Sequence, residues 1–111
     1  MRNGAVGMWW IRPWTRAAKV SDISEGQAVV VSIKNKQIAL LKSDDHFCAI
    51  DNTCPHRGAP LAQGRIEDGQ VTCSWHAWKF DVKTGECLTV PEGRIKTYPV
   101  KIVKDDVFVK G

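Results

Sequence analysis

Four residues in the middle of the chain have the types and spacing of a metal site. Cys54 and His56 lie in "CPHRG"; after sixteen intervening residues come Cys73 and His76 in "CSWHAW". Each segment offers one thiolate and one imidazole. The common zinc arrangement sets two cysteines on one knuckle and two histidines on a helix, and the order here is different. Alternation of Cys and His across two loops suits a cluster of two irons, one held by the sulfurs and the other by the imidazoles. Structural zinc in the same four residues is the competing reading. Colour separates them: visible bands that bleach on dithionite belong to iron and sulfide, a colourless protein with stoichiometric zinc to the alternative.

Such ligands need a rigid frame. Short runs rich in Val, Ile and Phe recur between turn signals, and no stretch of ten residues carries a helical period, so the chain is expected to be all-β. Strands are expected at Thr15–Lys19, Ala28–Ile33, Gln37–Lys42, Phe47–Asp51, Gln70–Cys73 and Lys79–Asp81. Turns fall at "KNK", "SDD", Asp68-Gly69 and Thr84-Gly85, the Asp-Gly pair being a strong hairpin signal. "TYPVKIV" and "DVFVK" read as a closing hairpin around Lys104–Asp106, and only "DISEG" reads as a helical turn. Residues 52–65 and 73–78 read as loops rich in Gly, Pro and ligands.

With 111 residues, 43% hydrophobic and 25% charged, the chain fits one compact domain that needs no disulfide staples. We expect a domain over residues 14–111, preceded by an extension over residues 1–13. Trp9, Trp10 and Trp14 make that extension aromatic, with packing on the domain or in a dimer contact the simplest role and partner docking the sharper one. The net charge of +4 is spread along the chain and mixed with acids. It reads as a solvated surface that could steer a basic carrier to an acidic partner, with no segment suited to nucleic acid. "AVGMWWI" is far short of the roughly 20 apolar residues of a membrane span, and no leader pattern is apparent, so the expected location is the cytoplasm, with no membrane partner.

Beyond the four ligands, "GAPLAQG", "FDVKTGE" and "IKTYPVKI" extend the pattern, and together they resemble the Rieske family of [2Fe-2S] proteins over roughly residues 14–110. The resemblance implies small antiparallel sheets, as a sandwich or barrel, with a cluster-binding subdomain formed by two loops at one end. It also implies that Cys54 and Cys73 hold one iron while His56 and His76 hold the outer one. Two thiolates and two neutral imidazoles leave the oxidised site near zero formal charge, which eases reduction relative to four thiolates.

High-potential membrane Rieske subunits carry a disulfide between the two loops, and a serine and a tyrosine hydroxyl near the cluster. The corresponding positions here are Ala59 and Trp75 for the disulfide, Trp78 and Phe80 for the hydroxyls. The expected potential is therefore toward the lower end of the Rieske range of about −150 to +300 mV, and pH-dependent in alkaline solution through the histidine ligands.

By the same resemblance His56 and His76 lie near the surface, with Arg57, Pro60, Leu61, Trp75 and Ala77 lining a rim where a partner docks. Packing of one loop on the other is an equal reading for Trp75 and Leu61. Cys48 and Cys87 read as small hydrophobes in β-structure, with a disulfide between them left open, and His46 as a surface residue of a polar turn. With only His46 left over, the chain lacks the two-His, one-carboxylate triad of a mononuclear iron oxygenase, and no G-x-G-x-x-G follows a strand. The resemblance thus implies an electron-transfer component with no complete catalytic site of its own: a soluble Rieske ferredoxin between an NAD(P)H-dependent flavoprotein reductase and a terminal oxygenase. The small Rieske-like subunit of assimilatory nitrite reductase is the second reading, and a zinc-binding interaction module the third.

Overall fold

A computed structural model describes residues 14–55, 58–74, 77–90 and 93–111. The expectations placed on residues 1–13, His56, Arg57, Trp75 and His76 lie outside the described residues. Among the described residues ten strands form three antiparallel sheets: β1 (Trp14–Lys19), β10 (Asp106–Lys110) and β9 (Val100–Val103) in the first; β2 (Ala28–Ile33), β3 (Lys36–Ser43), β4 (His46–Asp51) and β8 (Thr97–Tyr98) in the second; β5 (Arg65–Glu67), β6 (Gln70–Thr72) and β7 (Lys79–Asp81) in the third.

The second sheet is the middle layer. Successive side chains of a strand point to opposite faces, and β3 is apolar on both. Ile38 and Leu40 enter one buried cluster with Ala18, Val107 and Val109 of the first sheet. Ala39 and Leu41 enter the other with Ile66, Val71 and Phe80 of the third. On β4, Ala49 and Ile50 divide the same way. The unbroken run "IALL" is thus what a strand buried on both faces requires.

The hairpins follow from their turns. Lys34-Asn35 (φ 51° and 67°), Asp44-Asp45 (54° and 65°) and Asp68-Gly69 (55° and 73°) all take the left-handed conformation, as tight two-residue hairpins require. Ser43, the buried polar residue of β3, accepts a hydrogen bond on Oγ from Gly69 N–H at 2.9 Å, tying the third sheet to the middle one.

Two expectations are corrected. "TYPVKIV" is not one strand: Thr97–Tyr98 pairs with β4, whereas Val100–Val103 pairs with β10, and the chain changes sheets at Pro99, which has no N–H to continue a ladder. The helical turn is Val20–Asp22, just before "ISEG", because the Asp22 carboxylate accepts from Lys19 N–H at 3.0 Å. Glu25 turns away, its carboxylate accepting from Asp45 and Asp44 N–H, bonds that hold its pKa below the ordinary value. Within the expected loop 52–65, Leu61–Gln63 forms a 3-10 turn and Arg65 opens β5. Trp14, from the aromatic group near the start, begins β1 half-buried with the Lys101 ammonium 4.7 Å from its ring centroid.

Candidate metal centre

The two cysteine segments differ in sequence yet share one backbone plan. Thr53 bridges Pro60, and Thr72 pairs with Lys79, so each segment is the tip of a hairpin closed at the same span. The cysteine is the first residue of each tip. In the first, Cys54 N–H donates to Ala59 C=O at 2.9 Å and Gly58 N–H donates to Cys54 C=O at 2.7 Å. In the second, Cys73 N–H donates to Trp78 C=O at 2.7 Å and Ala77 N–H donates to Cys73 C=O at 2.9 Å. Gly58 and Ala77 both have positive φ, 76° and 62°, which lets the chain turn back after the fourth position.

Both cysteines are buried, Cys54 at 0% and Cys73 at 1% exposure, and belong to the same apolar cluster as Ala59, Leu61 and Phe80. The third sheet supplies the floor: Ile66, Val71 and Phe80 stand in register across β5, β6 and β7, all turned inward. Its other face is polar, with Arg65, Thr72 and Lys79 in the row next to the loops and Arg65 paired to Glu67. Gly64 packs against the Thr72 carbonyl so closely that a Cβ would collide with it, which fixes the approach of the first loop to β6.

Of the expected site residues, the structure thus brings Cys54 and Cys73 together, while His56 and His76 lie outside the described residues. The expected rim divides. Pro60 is partly exposed and Ala77 exposed, but Leu61 is fully buried. Its N–H donates to Asn52 C=O at 2.6 Å and the 3-10 turn carries the side chain inward, so packing is its role and it leaves the rim. Phe80 is fully buried beside Trp78, the rings 6.5 Å apart and tilted by 53°. Ala59, where the high-potential proteins have a cysteine, is likewise fully buried.

Cys48 and Cys87 are not joined in a disulfide. Cys87 is buried, its Sγ accepting from Val90 N–H at 3.4 Å. Burial pushes the Cys48 thiol above its ordinary pKa, with Lys83 opposing and Asp81 adding. His46 is exposed at the start of β4. What sequence reasoning missed were the turn-forming roles of Gly58 and Ala77 and the close approach at Gly64. The equal separation of each cysteine from its turn residue was the available signal.

Two buried sulfurs, in an apolar pocket closed by backbone hydrogen bonds, suit thiolate ligands of an iron-sulfur cluster, whose potential depends on such shielding. Layered antiparallel sheets carrying paired cysteine hairpins define a Rieske-type domain. Residues 13–99 match the Rieske [2Fe-2S] domain, and the chain belongs to that family. Its cofactor is a Rieske-type [2Fe-2S] cluster.

The chain is 41% identical over 98 residues, 87% of its length and 94% of the relative's, to the ferredoxin component of the naphthalene 1,2-dioxygenase/salicylate 5-hydroxylase systems of a Ralstonia species. Its fold matches a chain from the complex of reduced oxygenase and oxidized ferredoxin in carbazole 1,9a-dioxygenase, with a TM-score of 0.81, 26% identity, and coverage of 88% of this chain and 93% of that one. It also resembles a putative NADH-dependent nitrite reductase small subunit from Mycobacterium tuberculosis, with a TM-score of 0.81, 26% identity, and coverage of 86% and 92%. Among the described residues no helix is long and apolar enough to cross a membrane.

Proposed function

We propose that this chain is a ferredoxin of a multicomponent oxygenase: a one-electron carrier between an NAD(P)H-dependent flavoprotein reductase and a terminal oxygenase, working in the cytoplasm. Residues 14–111 form the Rieske domain, and residues 1–13 an extension before it. Cys54, His56, Cys73 and His76 hold the cluster, which takes up and releases one electron when bound. The chain's own contribution is positional. The paired hairpins present Cys54 and Cys73, and Ala59, Leu61, Val71 and Phe80 keep water from their sulfurs.

The observation that carries this reading is the agreement of the two hairpins around buried cysteines in a chain that spans 94% of a ferredoxin component. The likeness to a nitrite reductase small subunit supports the second reading, in which the same domain relays electrons to a sirohaem enzyme.

The test is chemical. Purified protein should contain two irons and two sulfides per chain and give a Rieske-type EPR signal on reduction. Replacing Cys54 or Cys73 by Ser should abolish both. Loss of neither would remove these residues as ligands. Reoxidation of the reduced protein by an aromatic-ring oxygenase, set against a sirohaem nitrite reductase, decides between the two partners.

A further inference from the structure

We propose that the outer face of the first sheet is a docking surface for an acidic protein, one that holds this chain while leaving the cysteine hairpins uncovered. The inference goes beyond electron transfer, and the binding it describes does not depend on that reading.

Residues paired across neighbouring strands share a face, so the register sorts this sheet. Ala18, Val107 and Val109 turn inward, to the buried cluster shared with the middle sheet. The opposite face carries Trp14 beside Lys110, then Arg16, Phe108 and Lys101 in one row, then Lys19, Asp106 and Val103 in the next. Four cations against one carboxylate leave this face at +3, most of the +4 of the whole chain. Arg16 and Asp106 offset each other, Nε to Oδ1 at 2.9 Å. The Lys101 ammonium lies over the Trp14 ring, a contact that leaves its charge in place. Lys19 and Lys110 are exposed, and among the described residues no ion pair engages either of them. By contrast, the polar face of the third sheet sets Arg65 and Lys79 against Glu67 and Asp81.

The position of this charge decides what it can do. The first sheet packs on one side of the middle sheet, and the cluster containing Cys54 and Cys73 lies on the other. An acidic surface drawn to Lys19, Lys101 and Lys110 therefore settles on the layer remote from the cysteines. The basic charge holds a partner; it does not steer one onto the hairpins.

A folded acidic surface fits this face better than the other polyanions. Single-stranded nucleic acid stacks its bases on open rings, whereas Lys101 covers Trp14 and Phe108 is half-buried between Arg16 and Lys101. A membrane surface takes up apolar side chains that protrude into it, and Val103, the exposed apolar residue of this face, pairs with Asp106, whose charge opposes anionic headgroups. Carboxylates on a protein need only ammonium groups at fixed spacing, which the three lysines supply.

Titration of the full-length oxidised holoprotein with poly-L-glutamate, followed by calorimetry and by amide chemical shifts, tests this. Saturable binding at low ionic strength is expected, weakening as salt screens it, with shifts confined to β1, β9 and β10. The double variant Lys19→Glu, Lys110→Glu should raise the Kd by about tenfold or more. Lys79→Glu with Lys83→Glu, which changes the net charge equally on the third-sheet side, should raise it by about threefold at most. Absence of binding, shifts at residues 58–60 or 77–79, or equal effects of the two double variants would each overturn the proposal, and the shift map of the wild type does so even where a variant fails to fold. Tighter binding to single-stranded DNA, or to vesicles of phosphatidylglycerol and phosphatidylcholine in equal parts, would overturn it in favour of those surfaces.

Discussion

Gly58 and Ala77 occupy equivalent places in two hairpins of unrelated sequence. Each donates its N–H to the carbonyl of the cysteine four residues before it, at positive φ. The glycine holds this conformation without strain, whereas alanine bears a left-handed cost of roughly 1–2 kcal/mol, offset in part because glycine loses more freedom on folding. Ala77→Gly should therefore stabilise the protein by about 0.5 kcal/mol. Gly58→Ala should destabilise it by about 1 kcal/mol through the backbone, since among the described residues a Cβ there meets the Thr53 methyl at an ordinary 4.0 Å. Thermal unfolding of the oxidised protein should show melting shifts of opposite sign.

Gly64 presents a different constraint. A Cβ at this position would run into the Thr72 carbonyl, one residue before Cys73, and Thr72 is held in register between Arg65 and Lys79. The obstructing atom is backbone and cannot swing aside. Gly64→Ala should push β6 away from the first loop, cost on the order of 2–3 kcal/mol as overpacking does, and lower iron content. Iron and sulfide analysis of the purified variant checks this; full cluster loading with unchanged stability would show that the two loops do not depend on that approach.

Tyr98 and Asp51 link β8 to β4 by a hydrogen bond of 2.6 Å, the phenol donating to the carboxylate. Burial above all, then this bond and the Asp51 charge, push the Tyr98 pKa up to about 12. In the unfolded chain a tyrosine titrates near pH 10. The folded state thus favours the protonated phenol. The resulting stability is complete below about pH 10 and is lost as pH rises toward 12, a loss on the order of 2 kcal/mol. Urea unfolding at a series of alkaline pH values should show this decline in the wild type and a smaller one in Tyr98→Phe, which should also cost about 1–2 kcal/mol at neutral pH through the lost bond to a carboxylate.

The sequence made the strands legible where period and turn chemistry agreed. Ala28–Ile33 and Lys79–Asp81 have the expected bounds, and the Asp68-Gly69 turn has the expected backbone. It was less informative where one run served two layers. "TYPVKIV" has the composition of a single strand, and only tertiary pairing divides it at Pro99. The cysteines could be read because ligand chemistry restricts residue type and spacing. The matched turns were harder to read despite their equal spacing from the cysteines, because Ala77 does not advertise a left-handed conformation as a glycine would. Leu61 looked available for a partner because apolar residues occur on rims and in cores alike; the bond from its N–H to Asn52 decides between them.

Phe80 offers a way to tune the centre. It is fully buried on β7 in the cluster that contains Cys54 and Cys73, at a position where the high-potential relatives place a tyrosine. A hydroxyl donating toward the cluster favours its reduced, more negative state. A bond to a charged group contributes roughly 1.5–3 kcal/mol, and about 1.4 kcal/mol corresponds to 59 mV for one electron. Only the difference between redox states counts, so Phe80→Tyr should raise the midpoint by on the order of 50 mV from a wild-type value in the lower part of the Rieske range. Phe108→Tyr, on β10 in the first sheet, should leave it unmoved. Protein-film voltammetry of the three proteins measures this directly. An unshifted Phe80→Tyr variant with an intact cluster would mean that a hydroxyl at this position does not reach the centre, and that a low midpoint, once measured, must be traced to the serine replaced by Trp78 or to the disulfide position held by Ala59 instead.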